Sequence, residues 1–141
     1  MRFMMMVRAS DDSEAGVMPE TELLTEMGRF NEELVKAGVL LAGEGLHPSA
    51  NAARVKFAGD RPTVVDGPFP VSELIAGFWL IQVKSREEAI EWAKRCPNPM
   101  PGREGVIELR QVFSAEDFGE ALTPEIAEAE DRMRAQIGTV Q

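Results

Sequence analysis

Hydrophobic residues recur along this chain at two spacings, one belonging to strands and one to helices. From Arg2 to Arg8 they alternate on both sides of an extended segment, with Phe3, Met5 and Val7 on one face and Met4 and Met6 on the other. Gly77 to Val83 (Gly-Phe-Trp-Leu-Ile-Gln-Val) repeats the pattern and is the strongest strand in the chain. Strands apolar on both sides need cover on both sides. Helical spacing appears first after Pro19, where Leu23, Met27, Phe30 and Leu34 form one stripe and Gly38 ends it. Glu20 and Glu22 fall in the first turn, where the helix dipole favours them. Ser85, with Glu88 three residues on, predicts a capping box for a helix to about Arg95, closed by Pro97-Asn98-Pro99. Thr123 predicts the cap of a terminal helix with Ile126, Ala129, Met133 and Ile137 as its stripe.

The remaining segments read as strands and turns. Val39 to Leu46 is a strand broken by Gly43 and Gly45. Ala53, Val55 and Phe57 alternate with Arg54 and Lys56, a half-buried strand; Gly59-Asp60-Arg61-Pro62 is turn chemistry, and Thr63 to Asp66 returns. Gly67-Pro68-Phe69-Pro70 cannot continue a central strand, since proline lacks the donor, so a loop with one helical turn leads to Ala76. Ala9 to Gly16 is a polar, acidic loop, and Gly105 to Phe113 a last strand with Ile107, Leu109 and Phe113 opposite Glu108 and Arg110. The order is strand, helix, strand, hairpin insertion, strand, helix, strand, helix. It predicts an α+β, ferredoxin-like (split βαβ) domain with an extra C-terminal helix, divided as residues 1–113 and an extension over 114–141. Helices in that arrangement cover one sheet face only. The uncovered apolar face predicts a homodimer.

Composition narrows the class. At 141 residues the chain suits one domain, and 44% apolar with 28% charged residues is ordinary globular usage. The net charge of -9 repels phosphate backbones, so no nucleic-acid partner is expected. Much of that charge lies in the tail: Glu116, Asp117, Glu120, Glu125, Glu128, Glu130 and Asp131 against Arg132 and Arg134, a solvated helical face. The single cysteine, Cys96, permits no internal disulfide and reads as a buried small hydrophobe. The Phe3–Val7 run is too short for a signal core or membrane span, so a cytoplasmic protein without a membrane partner is expected. No cysteine–histidine cluster, phosphate-binding glycine loop or serine elbow occurs, and no cofactor or metal is expected.

Three stretches together resemble the YCII-related family in its DGPF branch: Gly43-Glu44-Gly45-Leu46-His47-Pro48, Asp66-Gly67-Pro68-Phe69 and Gly77-Phe78-Trp79-Leu80-Ile81. Glu73, Glu91-Trp92-Ala93 and Arg95-Cys96-Pro97 extend the resemblance over most of residues 1–113. It implies a ferredoxin-like fold that dimerises into an α/β barrel, with a cleft where the sheets meet and a His–Asp pair in it suited to acid–base chemistry. Relatives include enzymes that act on small ring compounds by elimination. Others occur beside alternative sigma factors, which implies a regulatory role. In many such proteins the histidine lies in or near the first helix; here that helix has none, and the chain's one histidine is His47, at the end of the second strand.

His47 with Asp66 is therefore the candidate acid–base pair, for an elimination- or isomerisation-like step on a small molecule. Each has a plainer reading beside it. His47 can simply brace Pro48 or a backbone carbonyl, and Asp-Gly-Pro is turn chemistry in which the carboxylate accepts backbone donors. Glu44, Phe69, Glu73 and Arg54 are candidate ligand-binding residues near the same loops, with turn closure and solvated strand faces as their plainer roles. The competing class is a non-catalytic ligand-binding or regulatory module.

Overall fold

The computed structural model describes residues 1–139. Backbone packing divides the chain into two compact units, Met1–Gln111 and Val112 onward. The first unit is an α+β structure around a four-stranded antiparallel sheet, with no closed barrel. Its strands are β1 (Arg2–Arg8), β2 (Leu40–Gly45), β5 (Ile75–Gln82) and β6 (Ile107–Gln111), in the order β2-β5-β1-β6. Between β2 and β5, β3 (Ala53–Ala58) and β4 (Arg61–Asp66) pair as a separate two-stranded sheet. The helices of this unit are α1 (Asp11–Glu14), α2 (Thr21–Lys36) and α3 (Arg86–Arg95).

The two-sided strands resolve into a buried and a half-buried face. Phe3, Met5 and Val7 of β1 and Trp79 and Ile81 of β5 form one core with Phe30 and Leu34 of α2 and Ala89 and Trp92 of α3. Phe30 meets Trp79 edge-on at 5.6 Å, and the indole N–H of Trp79 donates to Asn31 Oδ1 at 2.8 Å. Gly43 pairs with Trp79 across β2–β5, where an added Cβ would stand 3.1 Å from the indole, closer than ordinary packing allows without a shift of the ring. On the other face Met4, Met6, Phe78 and Leu80 stand apart from that core, half-buried. In register they lie between Glu44 and Ala42 of β2 and Glu108 and Arg110 of β6.

Several boundaries differ from the sequence reading for local reasons. The 9–16 segment is not all loop: Ser10 and Ser13 cap each other reciprocally and nucleate α1. Ser85 caps α3 by accepting from Glu88 N–H, but Glu88 returns its carboxylate to Lys84 N–H, so the reciprocal capping box does not close on Ser85. The hairpin turns at Gly59-Asp60 alone and β4 begins at Arg61, because Pro62 sits in a strand with a free edge, where its missing N–H costs nothing. Nor is this hairpin half-buried: Phe57 is 83% exposed, and Val55 and Val64 are exposed as well. A two-stranded ribbon outside the main sheet has no second layer to pack upon.

In the second unit, Ala115–Ala121 forms a 3-10 stretch interrupted at Gly119, and α4 spans Pro124–Thr139. Thr123 Oγ1 accepts from Ile126 N–H at 3.3 Å, the predicted cap. The predicted stripe is not a buried one, since Ile126, Met133 and Ile137 are all exposed. Phe113 falls beyond the end of β6 and packs its ring on Phe118 at 5.1 Å instead of joining the strand's apolar face. Among the described residues no helix is long and apolar enough to cross a membrane.

Candidate functional site

Polar side chains and signature loops gather where the chain leaves β2 for the hairpin and returns to β5. Leu46 N–H donates to Ala76 O at 2.8 Å, closing the neck of this excursion. Past the neck, Pro48 leads into a 3-10 turn over Ser49–Asn51, and the chain enters β3. After β4, Asp66-Gly67-Pro68-Phe69 passes back over that turn through a cis Gly67–Pro68 peptide bond and reaches a second 3-10 turn, Val71–Glu73.

Ser49 joins the two loops. It is the one polar residue buried in the described structure, 3% exposed. Its backbone N–H donates to Glu14 Oε1 at 2.9 Å, and its hydroxyl donates to Glu14 Oε2. The same hydroxyl oxygen accepts from Phe69 N–H at 2.9 Å. Gly67 N–H donates to Ala52 O, also at 2.9 Å. The backbone packs so closely here that a Cβ on Gly67 would lie 1.7 Å from Ser49 O, so only glycine fits. A buried hydroxyl that both donates and accepts costs little, whereas either partner left alone would carry a desolvation penalty.

Three of the residues singled out from sequence come together beside this junction. The Arg54 guanidinium lies over the Phe69 ring, 3.9 Å from its centroid, and its Nη1 is 3.3 Å from Glu73 Oε1. The ion pair is half-exposed and worth little on its own; the stacking fixes the plane of the guanidinium. Arg8 reaches the same turn, donating from Nη2 to Ser72 O. His47, on the first loop, and Asp66, at the end of β4 where the second loop begins, are both exposed, and no hydrogen bond or ion pair links them. Glu44 stands elsewhere, on β2 opposite Phe78 at the rim of the half-buried sheet face.

Glu14 and Ser49 escaped the sequence reading. Glu14 lies in an acidic run with Asp11 and Asp12 that reads as solvated loop, and Ser49 is one small polar residue after a proline. The one signal was the Ser10–Ser13 spacing, which marks a helical turn ending at Glu14. Cys96 is confined: burial pushes its thiol up to about 12, and Sγ contacts Pro97 O and Met27 Sδ. Among the described residues no three His, Cys, Asp or Glu side chains group closely enough to hold a metal ion. A shallow cavity of about 240 Å³ lies away from these loops, against Glu26, Phe30, Glu33 and Arg95.

The sequence pattern of the YCII-related domain matches residues 1–116. An uncharacterized protein of Rhizobium meliloti (strain 1021) is 29% identical over 94 residues, covering 66% of this chain and 75% of its own.

Proposed function

Because this chain belongs to the YCII-related family, we propose that it binds a small organic molecule at the loops around His47 and Asp66, which move a proton on it. One observation carries the reading: the loops bearing these exposed side chains are tied to each other through Phe69 N–H to Ser49 Oγ and Gly67 N–H to Ala52 O. Exposed titratable groups on a rigid, hydrogen-bonded support are what general acid–base chemistry requires. The stacked Arg54 supplies a cation for an anionic group on the ligand.

On this reading the site is completed by a second copy of the chain. The strand order β2-β5-β1-β6 is the one a split βαβ, ferredoxin-like domain would have, and its half-buried face of Met4, Met6, Phe78 and Leu80 suits pairing with an identical face. Two sheets stacked in this way enclose a barrel-like cleft with Glu44 at its rim. A second reading, a non-catalytic module acting through a protein partner such as a sigma factor, draws on the exposed hairpin face of Val55, Phe57 and Val64.

The chain's single histidine makes the acid–base reading directly testable. Ring resonances of His47 give an unambiguous NMR reporter, sensitive to any group beside the imidazole. Asp66→Asn is therefore expected to move those resonances. Unmoved resonances would remove the pair. Melting with and without small aromatic acids, compared between wild type and His47→Ala, tests the pocket itself; equal shifts in the two would take His47 out of binding.

A further inference from the structure

We propose that Ser49 and Glu14 are the positioning residues of this site, setting the distance between His47 and Asp66; the inference rests on the acid–base reading above. The support is a continuous relay from Phe69 N–H through the Ser49 hydroxyl to the Glu14 carboxylate. Phe69 is three residues from Asp66, and Ser49 two residues from His47, so the relay spans both loops at their bases.

Packing does not explain why this relay exists. Helix α1 buries no residue, so its single turn is not held for the core. Its other tie by charge, Asp12 to Arg103, is exposed and 3.8 Å long. What α1 does deliver is Glu14, whose carboxylate takes both donors of Ser49. The turn itself is prepared for this by the Ser10–Ser13 cap and by Glu14 N–H donating to Ser10 O at 3.0 Å. A buried serine bridging a carboxylate and a backbone amide has its rotamer fixed from both sides. Were either end lost, the Asp66–Phe69 loop would keep Gly67 N–H to Ala52 O but could swing about it. Glu14 is thus assigned an indirect part: it orients Ser49, which holds the loop, which carries Asp66.

The test is a coupling measurement. In the full chain, the shift of the His47 ring resonances caused by Asp66→Asn is measured by NMR in wild type, Ser49→Ala, Glu14→Ala and Glu14→Gln backgrounds, with amide dispersion reporting the fold. The proposal expects the shift to collapse toward zero in Ser49→Ala and Glu14→Ala. It expects Glu14→Gln, which keeps an acceptor oxygen for Ser49, to restore most of it. A merely structural role would lower melting temperature in all three and leave the shift intact in the folded protein, which overturns the proposal. Should Ser49→Ala fail to fold, the Glu14 pair carries the same comparison. No shift even in wild type overturns the acid–base reading itself, a result distinct from a shift that survives loss of the relay.

Discussion

Two residues decide the geometry of the loop junction, and each predicts a measurable cost. Gly67 has backbone, not a flexible side chain, where its Cβ would go. Gly67→Ala must therefore push the two loops apart, and chemical denaturation is expected to show a loss of about 1–3 kcal/mol, the range for overpacking. Ser49→Ala strands the Phe69 N–H and removes a donor from Glu14, with an expected loss of about 1–3 kcal/mol for a buried partner left unsatisfied. Cys96 behaves differently. With its folded thiol pushed up to about 12 against an ordinary value of 9.0, the native protein should resist alkylation at pH 8 and react once unfolded. The sign follows from the raised value: the native state keeps its proton while the unfolded state loses it, so this group's contribution to stability declines as pH climbs from about 9 toward 12. Of these, the packing of Cys96 against the core was legible in the sequence, although the residue is partly rather than fully buried. The serine was not, since burial of one small polar side chain depends on a carboxylate 35 residues away.

Elements carried by periodicity were the most legible. β1 and α3 fall where the alternating and capped patterns placed them, and α2 buries the end of its predicted stripe at Phe30 and Leu34. Elements carried by local chemistry were less so. Helix α1 is one turn without an apolar stripe, and the 3-10 stretch after β6 is held by Asp117 accepting from Ser114. The hairpin shows the limit most clearly, because alternation fixes which residues share a face but says nothing of what covers that face. Phe57 and Val55 share one as predicted and are exposed all the same. At this scale Phe57→Ser is expected to change the denaturation free energy of the single chain by less than about 0.5 kcal/mol, as for surface substitutions generally. A large loss would mean that the face is covered in solution.

For the molecule as a whole, the informative surface is the half-buried sheet face. Leu80→Glu places a charge between Met4 and Ala42 in the register. The proposed pairing of two copies predicts that this variant sediments as a monomer while wild type sediments as a dimer, and that it loses any ligand-induced rise in melting temperature. Retention of the dimer would move the interface elsewhere. The family was legible from the loops and the Gly-Phe-Trp strand, yet the arrangement of the site was not. It depends on contacts among segments separated by some 20 to 35 residues, which no local pattern encodes.

The neck between Leu46 and Ala76 has a consequence for how this protein can vary. The segment from His47 to Leu74 leaves and rejoins the sheet at this neck, with β2 and β5 already in register below it, and Glu14 to Ser49, Arg8 to Ser72 O and Ala9 N–H to Leu74 O tie it to the rest of the unit. Loop-closure entropy grows only with the logarithm of length, about 0.6 kcal/mol per doubling. Length added between those ties therefore costs the scaffold little. Replacing residues 47–74 by a short turn is expected to leave a sheet that still folds cooperatively, which calorimetry can check. Novelty in ligand choice can then accumulate in one cassette, while the register of β2 and β5 beneath it stays as it is.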